Sequence, residues 1–363
     1  NNMKAAVCRE FGAPLSVEEV GLADPGSYEV RVKLSACAIC HSDITYMDGG
    51  WGGSLPAVFG HEAAGVVEQA GNGVARVAVG DTVVVTLLRS CGDCYYCSKD
   101  HHSLCETIFP LDTTSPLQDR DGKTLGHGLR TGAFAEQVVV HESQVLGIPT
   151  SVPMTSAALL SCGVITGFGA VKNVARVVPG SSVATIGTGG IGLNCIQGAA
   201  ICGSKVNIAV DLVDEKIQAA LRLGATHGIN PVNGDIKDEV ERLTDGRGAD
   251  YVFVAAGSAT AVEQALTLVR RAGMVVLVGM TAEGVTAQFK TLNLANDAVQ
   301  LVGSKMGQTH LDTDIPPLVE HYLKGSLKLD ELVSECYPLE GINDAITAVK
   351  GGQALRNVIV FDS

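Results

Sequence analysis

The second half of the chain alternates short apolar runs with stretches in which apolar residues recur every three or four positions. Short, wholly apolar runs are typical of strands buried on both faces of a parallel sheet, and the stretches between them are typical of crossover helices. The pattern therefore predicts an α/β fold with a doubly wound parallel sheet. The runs lie at 183–186, 206–210, 251–254 and 274–278, and the helical stretches at 193–200, 214–223 and 261–271.

The first 160 residues show a different pattern. Short alternating segments such as 29–34 are separated by Gly, Asp and Pro, which predicts a β-rich domain with short helices. After residue 305 the pattern predicts two helices and a last strand, at 315–324, 341–349 and 357–361. We expect this part to return to the first domain. The predicted segments are a β-rich domain at 1–161, a parallel-sheet domain at 162–305 and a returning segment at 306–363.

The composition narrows the class of protein. Hydrophobic residues make up 46% and charged residues 18%, with 43 Gly, which excludes a disordered, collagenous or coiled-coil chain. The net charge of −13 is spread along the chain and argues against nucleic acid or an anionic membrane as a partner. No apolar run approaches the roughly 18 residues of a membrane-spanning helix, and no secretory segment is apparent. We therefore expect a cytoplasmic protein.

A glycine-rich turn follows the first apolar run. Residues 187–192 read Gly-Thr-Gly-Gly-Ile-Gly, and Asp211 ends the next run. Gly187 would permit the tight turn, Gly189 the approach of a pyrophosphate, and Gly192 close packing of helix on strand. Asp211 can bond both adenosine ribose hydroxyls and would repel a 2′-phosphate, so the pattern predicts NAD rather than NADP. Lys216, one helical turn further, could also reach the ribose.

Eleven cysteines, an odd number in a chain without an export signal, argue for thiols and metal ligands rather than disulfides. Four form a C-x2-C-x2-C-x7-C pattern, at Cys91, Cys94, Cys97 and Cys105. Four thiolates at such spacings are typical of a closed, tetrahedral zinc site. Because cysteine fills every position, the predicted zinc is structural and stabilises a lobe at 90–106. The nearby pair His101 and His102 are expected to be solvated surface groups.

Cys40, His61 and Cys162 form a second, dispersed group. Spacing alone does not link them, and for each residue taken singly a buried structural role is the better interpretation. Together, two cysteines and one histidine would leave a fourth position open for water or a substrate oxygen, which is the arrangement of a catalytic zinc.

With these motifs in place, the chain resembles the zinc-dependent, medium-chain alcohol dehydrogenase family over essentially its whole length. The resemblance implies a GroES-like β-rich catalytic domain with a Rossmann domain, NAD as cofactor, and two zinc ions per chain. The residues that carry it are Gly60-His61-Glu62 with Gly65, Gly71 and Val74, the four-cysteine loop, Cys162-Gly163, the 187–192 turn with Asp211, and the segment 355–358.

The resemblance also implies individual roles at the catalytic centre. Cys40, His61 and Cys162 would bind the catalytic zinc, with Glu62 behind them as a transient ligand. Ser42 is similar to the hydroxyl that bonds the substrate oxygen and takes its proton. Zinc would lower the pKa of the alcohol, and the alkoxide would give hydride to NAD.

For the cofactor, the resemblance implies cationic contacts from His41 and Arg356 to the pyrophosphate. Family members commonly associate through the cofactor domain, so a homodimer or homotetramer is expected. The implied cofactor-binding positions are His41, Thr166, Gly187, Gly189, Gly190, Ile191, Gly192, Asp211, Lys216, Val278 and Arg356.

Two features bear on proton transfer and substrate. Many family members have a histidine where this chain has Thr45, so proton release would run through the cofactor ribose and water or through another base. A primary or secondary alcohol fits the implied pocket, and Lys305, with Arg89 and Arg130 nearby, could favour an anionic tail; alternatively all three cations are solvated. The implied pocket residues are Trp51, Leu87, Gly128, Leu129, Met280 and Lys305.

Three other interpretations remain. The glutathione-dependent formaldehyde dehydrogenase branch usually has a basic residue shortly after the last structural cysteine, whereas Glu106 follows Cys105 here. A zinc-free reductase of the same fold normally lacks the set of Cys40, His61 and Cys162. A non-enzymatic protein that binds zinc and dinucleotide would have no need of all these groups together.

Overall fold

The computed structural model describes residues 1–352 and 354–362, and the chain divides into two units. The first contains Asn1–Cys162, His310–Lys324 and the chain from Leu329 onward, and the second contains Gly163–Thr309 and Gly325–Lys328. Residues 325–328 thus fall outside the returning segment that the sequence predicted. The reason is local, because the Gln197 side chain bonds both the N–H and the C=O of Lys328.

The strands and helices follow in chain order. The strands are β1 Asn2–Cys8, β2 Ser16–Leu22, β3 Glu29–Ala38, β4 Ala57–Val58, β5 Glu62–Ala70, β6 Thr82–Val85, β7 Leu117–Gln118, β8 Thr124–His127, β9 Gln137–His141, β10 Val145–Gly147, β11 Ser182–Ile186, β12 Val206–Val210, β13 His227–Ile229, β14 Ala249–Val254, β15 Val269–Leu277, β16 Gln300–Gly303, β17 Val333–Pro338 and β18 Arg356–Val360. The helices are α1 His41–Met47, α2 Pro110–Thr113, α3 Met154–Leu159, α4 Ile165–Gly169, α5 Gly190–Ile201, α6 Asp214–Arg222, α7 Ile236–Leu243, α8 Ala259–Leu268, α9 Thr291–Asn296, α10 Leu311–Leu323 and α11 Ile342–Lys350.

The first unit is built from two β-structures that share one core. Strands β1, β2, β7, β8 and β4 close a barrel, and a seven-stranded sheet has the order β10-β6-β5-β3-β18-β17, with β9 also paired to β3. Strand β18 comes from the end of the described chain and pairs antiparallel with β3, Ile359 opposite Cys37. The chain after the parallel sheet therefore contributes a strand to the β-rich first unit.

The second unit is a six-stranded parallel sheet of order β13-β12-β11-β14-β15-β16. Its central strands are buried along nearly their whole length, which is why they read as apolar runs in the sequence. The strand order reverses direction between β11 and β14, and in such sheets ligands bind at the carboxyl ends of the strands at this point. The predicted doubly wound fold is confirmed.

One prediction about a helix is wrong. The helix predicted at 261–271 ends at Leu268, and the next three residues open β15 because Val269 pairs with Ala249 of β14. A continuous helical stretch that was not predicted, Met154–Ala175, is long and apolar enough to span a membrane by length and composition alone. In the protein 89% of the apolar 18-residue segment within this stretch is buried, as in a core helix.

Candidate active site and cofactor turn

Four side chains of the first unit converge on one point. One ligand atom from each of Cys40, His61, Glu62 and Cys162 lies within 4.8 Å of all the others, and all four residues are buried. The His61 Nε2 atom is 3.2 Å from the Cys162 sulfur. The structure therefore brings together the residues that sequence spacing alone could not link.

Local structure positions each of these residues. Cys40 is the residue before α1, while His61 and Glu62 lie where the chain enters β5. Cys162 lies in a π-helical turn, Leu160–Val164. Such turns widen a helix by one residue and frequently occur at functional sites.

Asp43 orients His61. The Asp43 carboxylate, fully buried, accepts a hydrogen bond from His61 Nδ1 at 2.9 Å and others from the backbone N–H groups of Gly60 and Cys40. Burial opposes protonation of His61, but the negative charge and hydrogen bond of Asp43 raise its pKa well above the usual range. With the Nδ1 proton directed to Asp43, Nε2 can offer its lone pair to a metal ion.

A buried cation lies beside the cluster. Arg356 is only 3% exposed, with its Nη2 atom 3.6 Å from Glu62 Oε2 and its Nη1 atom donating to the backbone oxygen of Ile39. The Cys162 hydrogen bond lowers the pKa of the Cys40 thiol well below its usual value, and despite burial the Arg356 charge adds to this effect. Two soft sulfur donors and an oriented imidazole are the donor set that zinc prefers, so the residues fit a zinc ion.

The four-cysteine lobe fits a second zinc ion. Four thiolates held about 2.3 Å from one zinc ion at tetrahedral angles would lie about 3.8 Å apart. The Cys91 sulfur lies 4.0 Å from that of Cys97 and 3.7 Å from that of Cys105, and the sulfurs of Cys94 and Cys105 are 3.9 Å apart. A disulfide would need about 2.05 Å. Hydrogen bonds from backbone N–H groups lower the pKa of Cys94 to about 6, which favours the thiolate.

His102, next to this lobe, is not the solvated group that the sequence suggested. Its ring centroid lies 4.2 Å from that of His310, which precedes α10, and its side chain is 14% exposed. Burial, with the neighbouring His310, lowers its pKa.

In the second unit, the glycine turn connects β11 to α5. Gly187 has a φ of +91°, and a Cβ on Gly192 would lie 1.7 Å from the Gly187 oxygen, so both positions require glycine. The Asp211 carboxylate accepts hydrogen bonds from the N–H and the hydroxyl of Thr188, at 2.8 and 3.1 Å. These bonds hold Asp211 against the turn, at the carboxyl end of the sheet.

The side chains that follow Cys40 lie on α1. His41 is exposed and Ser42 is partly exposed. The Thr45 hydroxyl donates to the His41 backbone oxygen at 2.9 Å, so its proton is committed within the helix.

The implied pocket residues are divided between the two units. Trp51, Leu87, Gly128 and Leu129 belong to the first unit, whereas Met280 and Lys305 belong to the second, as do the cofactor positions Thr166, Lys216 and Val278. The Trp51 ring makes an edge-on contact with Tyr46 at 5.0 Å, and Tyr46 stacks on Phe59 at 6.0 Å. This aromatic group lies between α1 and the segment that leads to His61.

Lys305, Arg89 and Arg130 were expected either to favour an anionic tail or to be solvated. For Arg89, both expectations are wrong. Its guanidinium is 2% exposed and bonds the side chains of Gln144 and Asp112 and the backbone oxygen of Arg130. Arg89 is therefore neither solvated nor able to meet an anionic tail. Arg130 lies 3.3 Å from Asp112, and its side chain is 40% exposed.

Sequence reasoning missed Asp43 and Gln144, and it assigned Arg89 a different role. Asp43 could have been found as an acid three residues into α1, where a carboxylate commonly bonds the N-terminal backbone. Gln144 carried no sequence signal, because its partners Thr86 and Arg89 are more than fifty residues away in the chain.

Comparison with known proteins agrees with this geometry. Residues 26–150 match the alcohol dehydrogenase GroES-like domain, and residues 190–324 match the zinc-binding dehydrogenase domain. The chain is 36% identical to "Alcohol dehydrogenase-like 7" of Arabidopsis thaliana, over 98% of this chain and 94% of the relative. It is also 36% identical to "Probable S-(hydroxymethyl)glutathione dehydrogenase 1" of Schizosaccharomyces pombe, over 98% and 96%.

Among solved structures, the chain is similar to benzyl alcohol dehydrogenase from Acinetobacter calcoaceticus. The TM-score is 0.93 at 31% sequence identity, and the match covers 100% of both chains.

Proposed function

Since this chain belongs to the zinc-dependent, medium-chain alcohol dehydrogenase family, we propose that it reversibly oxidises primary or secondary alcohols to aldehydes or ketones with NAD. The observation that carries the proposal is the convergence of Cys40, His61, Glu62 and Cys162 within 4.8 Å. Two thiolates and one imidazole leave a position for a substrate oxygen, whereas a closed structural site does not.

The chain's own residues have distinct parts in this reaction. Zinc, when bound, would supply the positive charge that lowers the pKa of the alcohol hydroxyl, and NAD would accept the hydride. Cys40, His61 and Cys162 hold the metal, and Asp43 keeps His61 in the correct tautomer. Ser42 accepts the hydroxyl proton. From there we propose release through the cofactor ribose and water, because the Thr45 hydroxyl is bonded within α1.

Metal analysis tests the proposal. We expect two zinc ions per chain, and Cys40→Ser should lose one zinc and nearly all NAD-linked alcohol oxidation. Cys37→Ser is the matched control, because Cys37 is equally buried and near Cys40 in the chain but outside the cluster. One zinc in the parent chain, together with full activity of Cys40→Ser, would show that this cluster is not a catalytic metal site.

For the cofactor, we propose NAD rather than NADP, on the charge and position of Asp211. Asp211→Gly should raise the ratio of kcat/KM for NADP over NAD by at least about tenfold, the effect of one lost hydrogen bond to a charged group. Thr188→Val is the control, since it removes only the hydroxyl that supports Asp211. A parent enzyme that already prefers NADP would contradict this assignment.

A second candidate is oxidation of S-(hydroxymethyl)glutathione, which the similarity to the Schizosaccharomyces pombe relative favours. Against it, Glu106 follows the last lobe cysteine and Arg89 is buried, which leaves fewer cations for the tripeptide. Adding glutathione to an assay with formaldehyde separates the two candidates. Turnover that depends on glutathione, without turnover of simple alcohols, would favour the second.

We also propose a cytoplasmic homodimer or homotetramer that associates through the second unit. The support for association is a group of large apolar side chains left exposed on that unit, namely Val285, Phe289 and Leu292.

A further inference from the structure

Arg89 is a buried arginine whose guanidinium is held by several hydrogen bonds. It follows β6 and precedes the first lobe cysteine by two residues. Its Nε atom donates to Gln144 Oε1 at 2.8 Å, Nη1 to Asp112 Oδ1 at 2.9 Å, and Nη2 to the Arg130 backbone oxygen at 3.1 Å. All three nitrogens of this buried guanidinium are thus committed to neighbours.

Gln144 completes the arrangement. It is fully buried, and its Nε2 atom donates to the backbone oxygens of Thr86 at 2.9 Å and Arg130 at 3.0 Å. The Arg130 carbonyl therefore accepts hydrogen bonds from two buried side chains. We call Arg89, Gln144 and this carbonyl the Arg130 clamp.

The clamp acts on a strained turn. Leu129 and Arg130 have φ values of +50° and +57°, the left-handed region that non-glycine residues rarely occupy. Inside the turn, the N–H groups of Thr131 and Gly132 donate to the Gly128 oxygen. Two consecutive left-handed residues persist only where the surroundings hold them, and the clamp supplies that hold.

The turn also lies beside the segment that leads to His61. A Cβ on Gly128 would come within 2.4 Å of the Val58 oxygen and 2.5 Å of the Phe59 ring. Just after the turn, Phe134 N–H donates to the Phe59 oxygen and Ala133 N–H to the Gly60 oxygen. The position of the turn is therefore tied to the residues immediately before a proposed zinc ligand.

We propose that Arg89 and Gln144 are positioning residues for substrate specificity. By clamping the Arg130 carbonyl they hold the left-handed turn beside the segment that leads to His61, and with it Leu129, which the family resemblance implies to be a pocket residue that meets the bulky part of the alcohol. The inference rests on the proposed alcohol dehydrogenase activity. It assigns Arg89 to the shape of the pocket and not to recognition of a charged substrate.

Arg89→Lys tests the clamp. Lysine keeps a positive charge beside Asp112, but its amine cannot bond Asp112, Gln144 and the Arg130 oxygen together as the planar guanidinium does. We expect KM for benzyl alcohol to rise at least about fivefold, while kcat for both alcohols and KM for ethanol stay within about twofold. Thermal midpoint and zinc content are measured on the same samples.

A second variant separates the clamp from general stability. Glycine adopts positive φ without steric cost, so adding Arg130→Gly to Arg89→Lys should return KM for benzyl alcohol toward the parent value. Arg31→Lys is the matched control, because Arg31 is also buried and bonds one aspartate and one backbone oxygen, neither of which belongs to the turn. It should leave the ratio of the two KM values unchanged.

The outcomes separate this inference from the proposed function. If Arg89→Lys changes both alcohols alike, or no more than Arg31→Lys does, the clamp does not set specificity. If the parent enzyme oxidises neither alcohol, the proposed function fails. The clamp can then be tested without any activity, by amide hydrogen exchange. Arg89→Lys should accelerate exchange at the amides of Thr131 and Gly132. Unchanged exchange there would overturn it.

Discussion

The surroundings of His127, at the end of β8, change its pKa. Its Nε2 atom bonds the Thr131 backbone oxygen at 2.9 Å, while its buried Nδ1 atom has no hydrogen-bond partner among the described residues. Burial, and then the positive charge of Arg89, lower the pKa of His127 to about 4. The ring is therefore neutral in the folded protein throughout the neutral pH range.

This lowered pKa makes stability depend on pH. Above about pH 6.5 His127 is neutral in both states. As the pH falls from there toward 4, the unfolded chain binds a proton that the folded chain does not, so the free energy of unfolding falls by up to about 1.4 kcal/mol per pH unit. Urea unfolding between pH 7 and 4.5 should show a flatter profile for His127→Asn than for the parent.

The control for this experiment is His227→Asn, which replaces an exposed histidine. It should leave the slope of the parent unchanged. An equal slope for His127→Asn and the parent would mean that His127 takes up its proton in the folded state.

At the scale of residues, the sequence predicted sites whose residues lie close together along the chain. The lobe cysteines lie within fifteen positions of one another, so their spacing alone indicates a metal site. Cys40 and Cys162 are joined only by the fold, and resemblance rather than spacing linked them. Arg89 was misread because an arginine in a loop gives no sign that Gln144 and Asp112 will bury it.

At the scale of elements, the turn between β11 and α5 contains two glycines with different tasks. A Cβ on Gly189 would meet no atom within 4 Å, whereas one on Gly192 would lie 1.7 Å from the Gly187 oxygen. Gly192, like Gly187, is therefore required by the fold itself, whereas Gly189 is not. Gly189 is free for the approach of a pyrophosphate to the N-terminus of α5.

The two glycines give a paired prediction. Gly189→Ala should leave the thermal midpoint unchanged but weaken NAD binding, because the new methyl group lies where the cofactor approaches. Gly192→Ala should lower the free energy of unfolding by about 1–3 kcal/mol, since its Cβ overlaps a backbone atom. Calorimetric titration with NAD and thermal unfolding measure both effects. Tight NAD binding by Gly189→Ala would contradict the assignment of this turn.

The errors in element boundaries have a physical cause. Val269 continues the apolar spacing of α8 and the two arginines after it continue its charged face, yet the three residues form the start of β15 because strand pairing with β14 outweighs local helical preference. The helical stretch Met154–Ala175 was overlooked for the opposite reason. Its Ser, Thr, Gly and Lys residues interrupt the apolar run, although its overall composition is strongly apolar.

At the scale of the whole molecule, the sequence indicated two folds and a returning segment because hydrophobic periodicity changes at about residues 160 and 305. Periodicity does not show which strand neighbours which. The insertion of β18 between β3 and β17 appears only in the structure. The pattern after residue 305 predicted the return, and the pairing of Val358 with Ala38 locates it.

That insertion sets an order of events during synthesis on the ribosome. β3 emerges before the second unit and β18 after it, so residues 36–38 of β3 stay without their β18 partner while residues 163–309 are made. Ile39, next to Cys40, depends on this late segment, because its N–H donates to the Asn357 oxygen and its own oxygen accepts from Arg356. The four lobe cysteines, by contrast, all lie within residues 91–105. The proposed structural metal site could therefore form early in a nascent chain, whereas the contacts that support the proposed catalytic centre form only after residues 356–357 have been made.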